Sequence, residues 1–145
     1  MWSWSERDPG EMGAKKVTNK EIVTLQGRNE AAGFGLKVRK VREWLFIAGT
    51  VPRDTDNAVV GKTDIQKQMT RVFENIRDIL SEGGFTLNDL IQLNVYLTDG
   101  SHRQAYLEFA EKLFMNNPVA QTVLVVRGLN DPDVLIEIDG IACIA

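Results

Sequence analysis

The stretch VLIEIDGIACI, at residues 134–144, is a run of aliphatic residues interrupted by Glu137 and Asp139. A run of this kind is typical of a strand whose two faces are both covered. The segment QTVLVV at 121–126 is similarly apolar. The sequence therefore predicts two C-terminal strands, at 121–126 and 134–144, that lie inside a sheet and are covered on both faces.

Two further strands are predicted nearer the N-terminus. From Phe34 the sequence alternates, with Phe34, Leu36 and Val38 on one face and basic residues on the other. Residues 40–43 are interpreted as a turn, and WLFIA at 44–48 is interpreted as a second, more buried strand. A proline that follows shortly afterwards ends this strand, because proline cannot donate to a sheet ladder.

A helix is predicted to follow the second strand. Thr63 and Gln66 have the spacing of a capping box, in which Thr63 is the N-cap residue. A glycine pair at 83–84 supplies the C-terminal stop. The predicted core stripe of this helix consists of Ile65, Met69, Val72, Ile76, Ile79 and Leu80.

A strand at 90–97 and a second helix complete the middle of the chain. In the strand, leucine and valine alternate with polar residues. Ser101 and Gln104 have the spacing of another capping box, and an Asn-Asn-Pro sequence closes the helix. The predicted buried face of the second helix consists of Ala105, Phe109 and Leu113.

The predicted order is two strands, a helix, a strand, a helix and two strands. This order favours a single α/β domain with a mixed sheet and both helices packed on one face. Residues 1–20 are polar and aperiodic, so they are interpreted as a flexible tail that precedes a domain at 21–145. A sheet with helices on one face leaves the other face bare, and oligomerisation would cover it.

Composition argues against several classes of function. The chain has 17 basic and 20 acidic residues, so it lacks the positive field that attracts nucleic acid. With one cysteine and one histidine, a single chain can form neither an internal disulfide nor a zinc site of Cys and His ligands, and no metal site is predicted. No apolar run approaches the roughly 20 residues that cross a bilayer, and no signal peptide is evident, which predicts a cytoplasmic protein without membrane contact.

Glu137 is the anomalous residue of the C-terminal strand. Burying an unpaired carboxylate among aliphatic residues costs several kcal/mol, in rough terms. One interpretation is that Glu137 is paired or lines a cavity. The other is that the strand is an edge strand on which Glu137 and Asp139 both face water.

Five segments follow one another along the chain in a recognisable order. They are IAGTVP at 47–52, ENI at 74–76, NVYLTD at 94–99, VAQT at 119–122 and IEI at 136–138. With these segments the chain resembles the Rid/YjgF family, the reactive intermediate deaminases, over roughly residues 30–145. In that family a segment similar to Pro-Ala-Arg-Ser precedes one similar to Ile-Glu-Ile.

The resemblance implies a chorismate-mutase-like fold that assembles as a homotrimer, with small-molecule substrates bound in three clefts between subunits. Deaminases of the family hydrolyse enamines, or their imine tautomers, to 2-oxo acids and ammonia. The resemblance also implies that no cofactor is needed.

Three positions depart from the family pattern and three agree with it. The arginine that clamps the substrate carboxylate is replaced by Gln121, whose neutral amide cannot reproduce a bidentate ion pair. Phe34 aligns with a tyrosine and Val123 with a cysteine. Gly49 and its neighbour Thr50 match the family, as does Glu137, which the resemblance makes the acid that orients or activates water. The predicted site therefore has Glu137 as its catalytic residue and five substrate-binding residues, Phe34, Gly49, Thr50, Gln121 and Val123.

Three hypotheses for function follow. The first is a deaminase of the Rid type that hydrolyses an enamine or imine whose recognised end is neutral or differently charged, such as an amide or carbonyl that Gln121 can hydrogen-bond. The second is a trimer of the same fold that binds a small molecule without catalysis. The third is the ribonuclease activity that is often attached to the family's names, against which the acidic composition argues.

Overall fold

The computed structural model of the protein describes residues 20–23 and 38–144, and describes side-chain burial from residue 40 onward. The described residues form six strands and two α-helices. The strands are β1 (Lys20–Val23), β2 (Val38–Val41), β3 (Trp44–Thr50), β4 (Leu90–Leu97), β5 (Ala120–Val125) and β6 (Ile136–Cys143). The helices are α1 (Ile65–Gly83) and α2 (Arg103–Phe114).

One mixed sheet contains all six strands, in the order β1-β2-β3-β6-β4-β5. Every neighbouring pair is antiparallel except β4 and β5, which are parallel and are connected through α2. A parallel pair needs such a crossover, because the chain must return to the starting end of the sheet. The predicted α/β class, the mixed sheet and the order of the elements from β2 onward are confirmed.

The N-terminal part of the sheet differs from the prediction. β1 was not predicted, because four residues among polar neighbours give little periodic signal. The predicted turn at 40–43 is shorter, since β2 continues to Val41 and Arg42 adopts a left-handed φ of 55°. Phe34 and the expected tail before β1 lie outside the described residues.

Local hydrogen bonds define the ends of α1. Its N-cap residue is Asp64 rather than Thr63, because the Asp64 side chain accepts from the backbone N of Lys67. Gly84 ends the helix with a left-handed φ of 80°, and its backbone N–H bonds the carbonyls of Leu80 and Ser81. The predicted stripe is buried except for Ile65, which is partly buried, and the stripe also includes Phe73, which stacks on Phe109.

The start and the buried face of α2 differ from the prediction. Asp99 accepts from the backbone N of Ser101 in a 3₁₀ turn, and no side chain caps α2 itself, so the predicted capping box is wrong. The buried face is one residue further along the sequence than predicted, because the large rings of Tyr106 and Phe114 are the side chains that face the core. The fully buried residues are Tyr106, Ala110 and Phe114, whereas Ala105, Phe109 and Leu113 are partly buried.

The hydrophobic core lies between the two helices and one face of the sheet, called here the helix face. In β6, burial alternates strictly, so that Ile136 and Ile138 are buried on the helix face while Glu137 and Asp139 are half-exposed on the opposite, open face. In β5, five of the six residues are exposed. Both helices therefore pack on one face, as predicted, but within one chain β5 and β6 are not covered on both faces.

Candidate functional site

A bulge in β3 creates the close approach on which the site is built. Ile47 pairs with Gly140 and Thr50 pairs with Ile138, so β3 contains one residue more than β6 over this interval. Such a bulge takes backbone groups out of the ladder and changes the direction of side chains. Gly49 lies in the bulge, and a β-carbon added there would overlap the Glu137 carboxylate. The absence of a side chain at Gly49 therefore gives Glu137 its space.

Glu137 lies on the open face between this bulge and β4, where Tyr96 is its cross-strand neighbour. The side chain is half-buried, and no described residue donates a hydrogen bond to its carboxylate. Burial raises the pKa of the Glu137 carboxyl, and the nearby charge of Asp139 raises it further. The group can therefore exchange a proton closer to neutral pH than an ordinary glutamate can.

Asp139, two residues along β6 on the same face, accepts hydrogen bonds from two side chains of β4. Its carboxylate accepts from Asn94 Nδ2 at 2.8 Å and from the Tyr96 hydroxyl at 2.7 Å. The hydrogen bond to Asp139 raises the pKa of Tyr96, and burial adds to the effect. Sequence reasoning missed this group, although the alternation of β4 already placed Asn94 and Tyr96 on one face.

Gln121 lies at the edge of the sheet, in β5, and points to the helix face. The hydroxyl of Tyr106 in α2 donates to the Gln121 amide oxygen at 2.5 Å. Tyr106 is fully buried, and burial raises the pKa of its hydroxyl well above the usual range, so it remains a donor. The amide nitrogen of Gln121 is left to donate elsewhere.

The other predicted site residues are distributed over both faces. Val123 packs against the core on the helix face. Thr50 is buried there too, with its hydroxyl donating to the Ala48 carbonyl at 3.0 Å. One chain thus brings Gly49 and Glu137 together on the open face. Gln121 and Val123 lie on the helix face of the edge strand β5, which is two strands away from β6 in the sheet.

Large apolar side chains surround the polar group on the open face. Trp44 and Phe46 in β3 are 42% and 43% exposed, and Leu124 in β5 is 47% exposed. Register places Phe46 beside Ile141 and Leu124 beside Tyr96, so these residues border the same surface. Exposed apolar side chains grouped on one face of a sheet are typical of a surface that contacts another molecule.

The described part of the chain offers neither a metal site nor a membrane span. Over residues 20–23 and 38–144, no three His, Cys, Asp or Glu side chains are grouped so that they could hold a metal ion. Neither of the described helices is long and apolar enough to cross a bilayer.

Comparison with known proteins identifies relatives of the chain. A family profile described as "Endoribonuclease L-PSP" matches residues 29–144. A RutC family protein of Pyrococcus abyssi is 34% identical over 123 residues, which cover 85% of this chain and 96% of the relative. The 3-aminoacrylate deaminase RutC of Acinetobacter baylyi is 30% identical over 123 residues, which cover 85% and 97%.

The fold has close counterparts among solved structures. The YjgF gene product of E. coli is 20% identical and superposes with a TM-score of 0.74, covering 85% of this chain and 98% of that one. An identity this low bears on the fold alone. It supports the mixed sheet with two helices described above.

Proposed function

This chain belongs to the endoribonuclease L-PSP family, also called Rid/YjgF, and on that premise we propose that it is a cofactor-independent deaminase that hydrolyses an enamine or its imine tautomer. The name of the Acinetobacter relative, a 3-aminoacrylate deaminase, describes an enamine substrate for that protein. The observation that carries the proposal is the Glu137 carboxylate, half-buried against Gly49 and without a donor among the described residues.

The proposed reaction adds water across a C=N bond. Glu137 accepts a proton from water as the water oxygen bonds to the imine carbon, and it passes that proton to the nitrogen, which gives a carbinolamine. In the second step Glu137 takes the proton of the new hydroxyl group as the carbonyl forms and delivers it to the nitrogen, so that the C–N bond breaks and ammonia leaves. A carboxyl with a raised pKa suits this exchange, because it can both accept a proton and return one near neutral pH.

We propose that Gln121 recognises a neutral end of the ligand. Its amide oxygen is already occupied by Tyr106, so its nitrogen is the atom available to a carbonyl or amide oxygen of the substrate. An arginine would favour a carboxylate instead, since only a guanidinium offers two parallel charged donors. Val123 and Phe34 would line the same cleft, with the backbone around Gly49 and Thr50 on its other side.

Gln121 and Glu137 can meet only between copies of the chain, because they lie on opposite faces of one sheet. We therefore propose a homotrimer in which the β5 edge of one subunit lies over the open face of the next. The exposed Trp44, Phe46 and Leu124 would supply apolar contact area. Light scattering that gives a monomer mass at micromolar concentration would contradict the assembly.

The deaminase proposal is tested by ammonia release from enamines generated in solution. We expect Glu137→Gln to lower turnover on the order of 100-fold or more, because it keeps the shape of the side chain and removes its proton acceptor. Wild type should prefer an enamine that ends in an amide, and Gln121→Arg should shift the preference towards 2-aminoacrylate and 3-aminoacrylate. Equal turnover by wild type and Glu137→Gln would refute the mechanism.

A second candidate is a ligand-binding trimer without catalysis. It is favoured by Gln121, because no charged clamp is present at the position where the family has an arginine. Calorimetry separates the two candidates, since a binding protein would retain a ligand such as a stable amide analogue and release no ammonia from any enamine.

A further inference from the structure

The two carboxylates of β6 compete for a small set of donors on the open face. They point the same way, because two residues along a strand restore the same face, and they lie roughly 7 Å apart along it. The donors within reach are Asn94 and Tyr96 from β4, and both of them bond Asp139.

Register makes this allocation unexpected. Tyr96 is the cross-strand neighbour of Glu137, not of Asp139, which pairs with Asn94. The Tyr96 hydroxyl nevertheless reaches diagonally to Asp139 at 2.7 Å. Glu137, directly opposite Tyr96, receives no hydrogen bond from the described residues.

The charged and titratable groups around Glu137 are few. Its own strand supplies Asp139, and β4 supplies Tyr96, whose proton is committed to Asp139. On the remaining side, β3 contributes Gly49, which has no side chain. Among the described residues, no cation is hydrogen-bonded or ion-paired to either acid.

From this arrangement we propose that Asp139 is a positioning residue for the deaminase reaction. Asp139 occupies both β4 donors and places its own negative charge beside Glu137. It thereby keeps the Glu137 carboxylate free of hydrogen bonds and ready to take a proton from water. The proposal rests on the proposed function, since it assigns Glu137 the role of base. Asp139 itself does not touch substrate.

The physical consequence is a division of labour between two acids of one strand. Asp139 takes the two donors, whereas Glu137, which is beside a like charge and has no donor among the described residues, binds its proton more tightly. The direction of the effect on Glu137 agrees, because Asp139 raises its pKa in addition to burial. Removing the charge of Asp139 should therefore make Glu137 a weaker base.

The test is a titration of the Glu137 carboxyl carbon by NMR in wild type and in Asp139→Asn. We expect the Glu137 midpoint to fall in the variant by roughly half a pH unit or more. Asp139→Glu, which restores the charge, should return the midpoint towards wild type. Glu82→Gln is the matched control, because it removes one charge from an exposed residue of α1, which lies on the other side of the sheet from the open face.

An unchanged Glu137 midpoint in a folded Asp139→Asn protein would overturn the proposal. If that variant does not fold, wild type decides: repulsion by Asp139 predicts that the midpoint falls as salt is raised to about 1 M, where the Debye length is about 3 Å. A midpoint insensitive to salt would then overturn the proposal.

Activity separates this inference from the proposed function. If both hold, the acid limb of the kcat/KM profile moves to lower pH in Asp139→Asn, in step with the NMR midpoint. If the midpoint shifts but no enamine releases ammonia, the effect of Asp139 on Glu137 stands and the deaminase proposal fails. If ammonia is released but neither the acid limb nor the midpoint shifts, the deaminase proposal stands and the proposed role of Asp139 fails.

Discussion

Two regions of this molecule treat their carboxylates in opposite ways. Where the loop before β6 meets the loop before α1, Asp131 accepts from Arg53 at 2.5 Å and from the backbone N of Asp133 at 3.0 Å. The backbone hydrogen bond from Asp133 lowers the pKa of Asp131, and Arg53 lowers it further. On the open face, Glu137 has burial and a like charge as its neighbours, and its pKa is raised.

Under the proposed function, this difference separates a region that serves structure from a region that serves chemistry. A carboxylate supplied with donors holds two loops together and has little tendency to exchange its proton. A carboxylate deprived of donors costs stability and is retained where proton exchange is useful. The same chain therefore separates the two roles by the allocation of donors rather than by residue type.

The largest effect should come from filling the space that Gly49 leaves for Glu137. In Gly49→Ala the new methyl group overlaps the carboxylate, so Glu137 must move. We expect turnover to fall on the order of 100-fold, since a displacement of about 1 Å of a reacting group has this cost. Ammonia release from an enamine measures it.

Gly128→Ala is the matched control for this change, because a β-carbon at Gly128 would have no neighbour within 4 Å. It should leave turnover within about twofold of wild type, as is usual for a surface change away from special features. Full activity in Gly49→Ala would show that the position of Glu137 against the bulge is irrelevant to the reaction.

A smaller effect, confined to stability, is expected from breaking the loop region. Buried Gln68 donates to the carbonyls of Gly61 and Asp133 and accepts from the backbone N of Leu135. Gln68→Ala removes these three bonds and leaves the Asp133 carbonyl and the Leu135 N–H without them, whereas the Gly61 carbonyl still accepts from the backbone N of Asp64. The change should lower the free energy of unfolding by about 2–3 kcal/mol. Urea denaturation measures the loss.

The exposed Gln66, on the same helix, provides the control for Gln68→Ala, and Gln66→Ala should change stability by less than about 0.5 kcal/mol. The NMR midpoint of Glu137 should be the same in both variants. A shifted midpoint in Gln68→Ala would mean that the two regions are coupled and that the comparison between them fails.

The sequence predicted the elements that carry a strong local signal. The bounds of α1 are within two residues of the prediction, because its stripe is long and a glycine with a left-handed φ ends it. The apolar run of β6 predicted a strand, yet it concealed which residues face the helices. Ile141 and Cys143 are as apolar as the residues of the helix face, so composition does not show that they lie on the open face. Their register against β3, where they pair with Phe46 and Trp44, places them there.

The group around Glu137 depends on topology, which the sequence does not state. Asn94 and Tyr96 are 45 and 43 residues from Asp139 and meet it only because β4 and β6 are neighbours. The bulge at Gly49 likewise follows from register. Glu137 itself could be singled out, because a carboxylate in an aliphatic strand is anomalous wherever the strand lies.

The smallest effect expected is an opposite dependence of stability on pH for the carboxyls of Glu137 and Asp131. Glu137 has a raised folded pKa, so its contribution favours folding below its unfolded pKa of about 4.3 and is lost as pH rises through the folded value. Asp131 has a lowered folded pKa, so its contribution is present above about 3.9 and is lost as pH falls. The two acids therefore affect stability with opposite signs near neutral pH.

Thermal unfolding of Glu137→Gln and Asp131→Asn, at equal protein concentration, tests this directly. At about pH 8, Glu137→Gln should have a higher Tm than wild type, because it removes a charge that folding buries without a donor, and Asp131→Asn should have a lower Tm. Both differences should shrink as the pH approaches 3, where the acids gain protons in the unfolded chain. A lower Tm in both variants at about pH 8 would contradict this expectation. It would mean that hydrogen-bond donors stabilise the charged form of Glu137, as they do for Asp131, and that burial does not destabilise it.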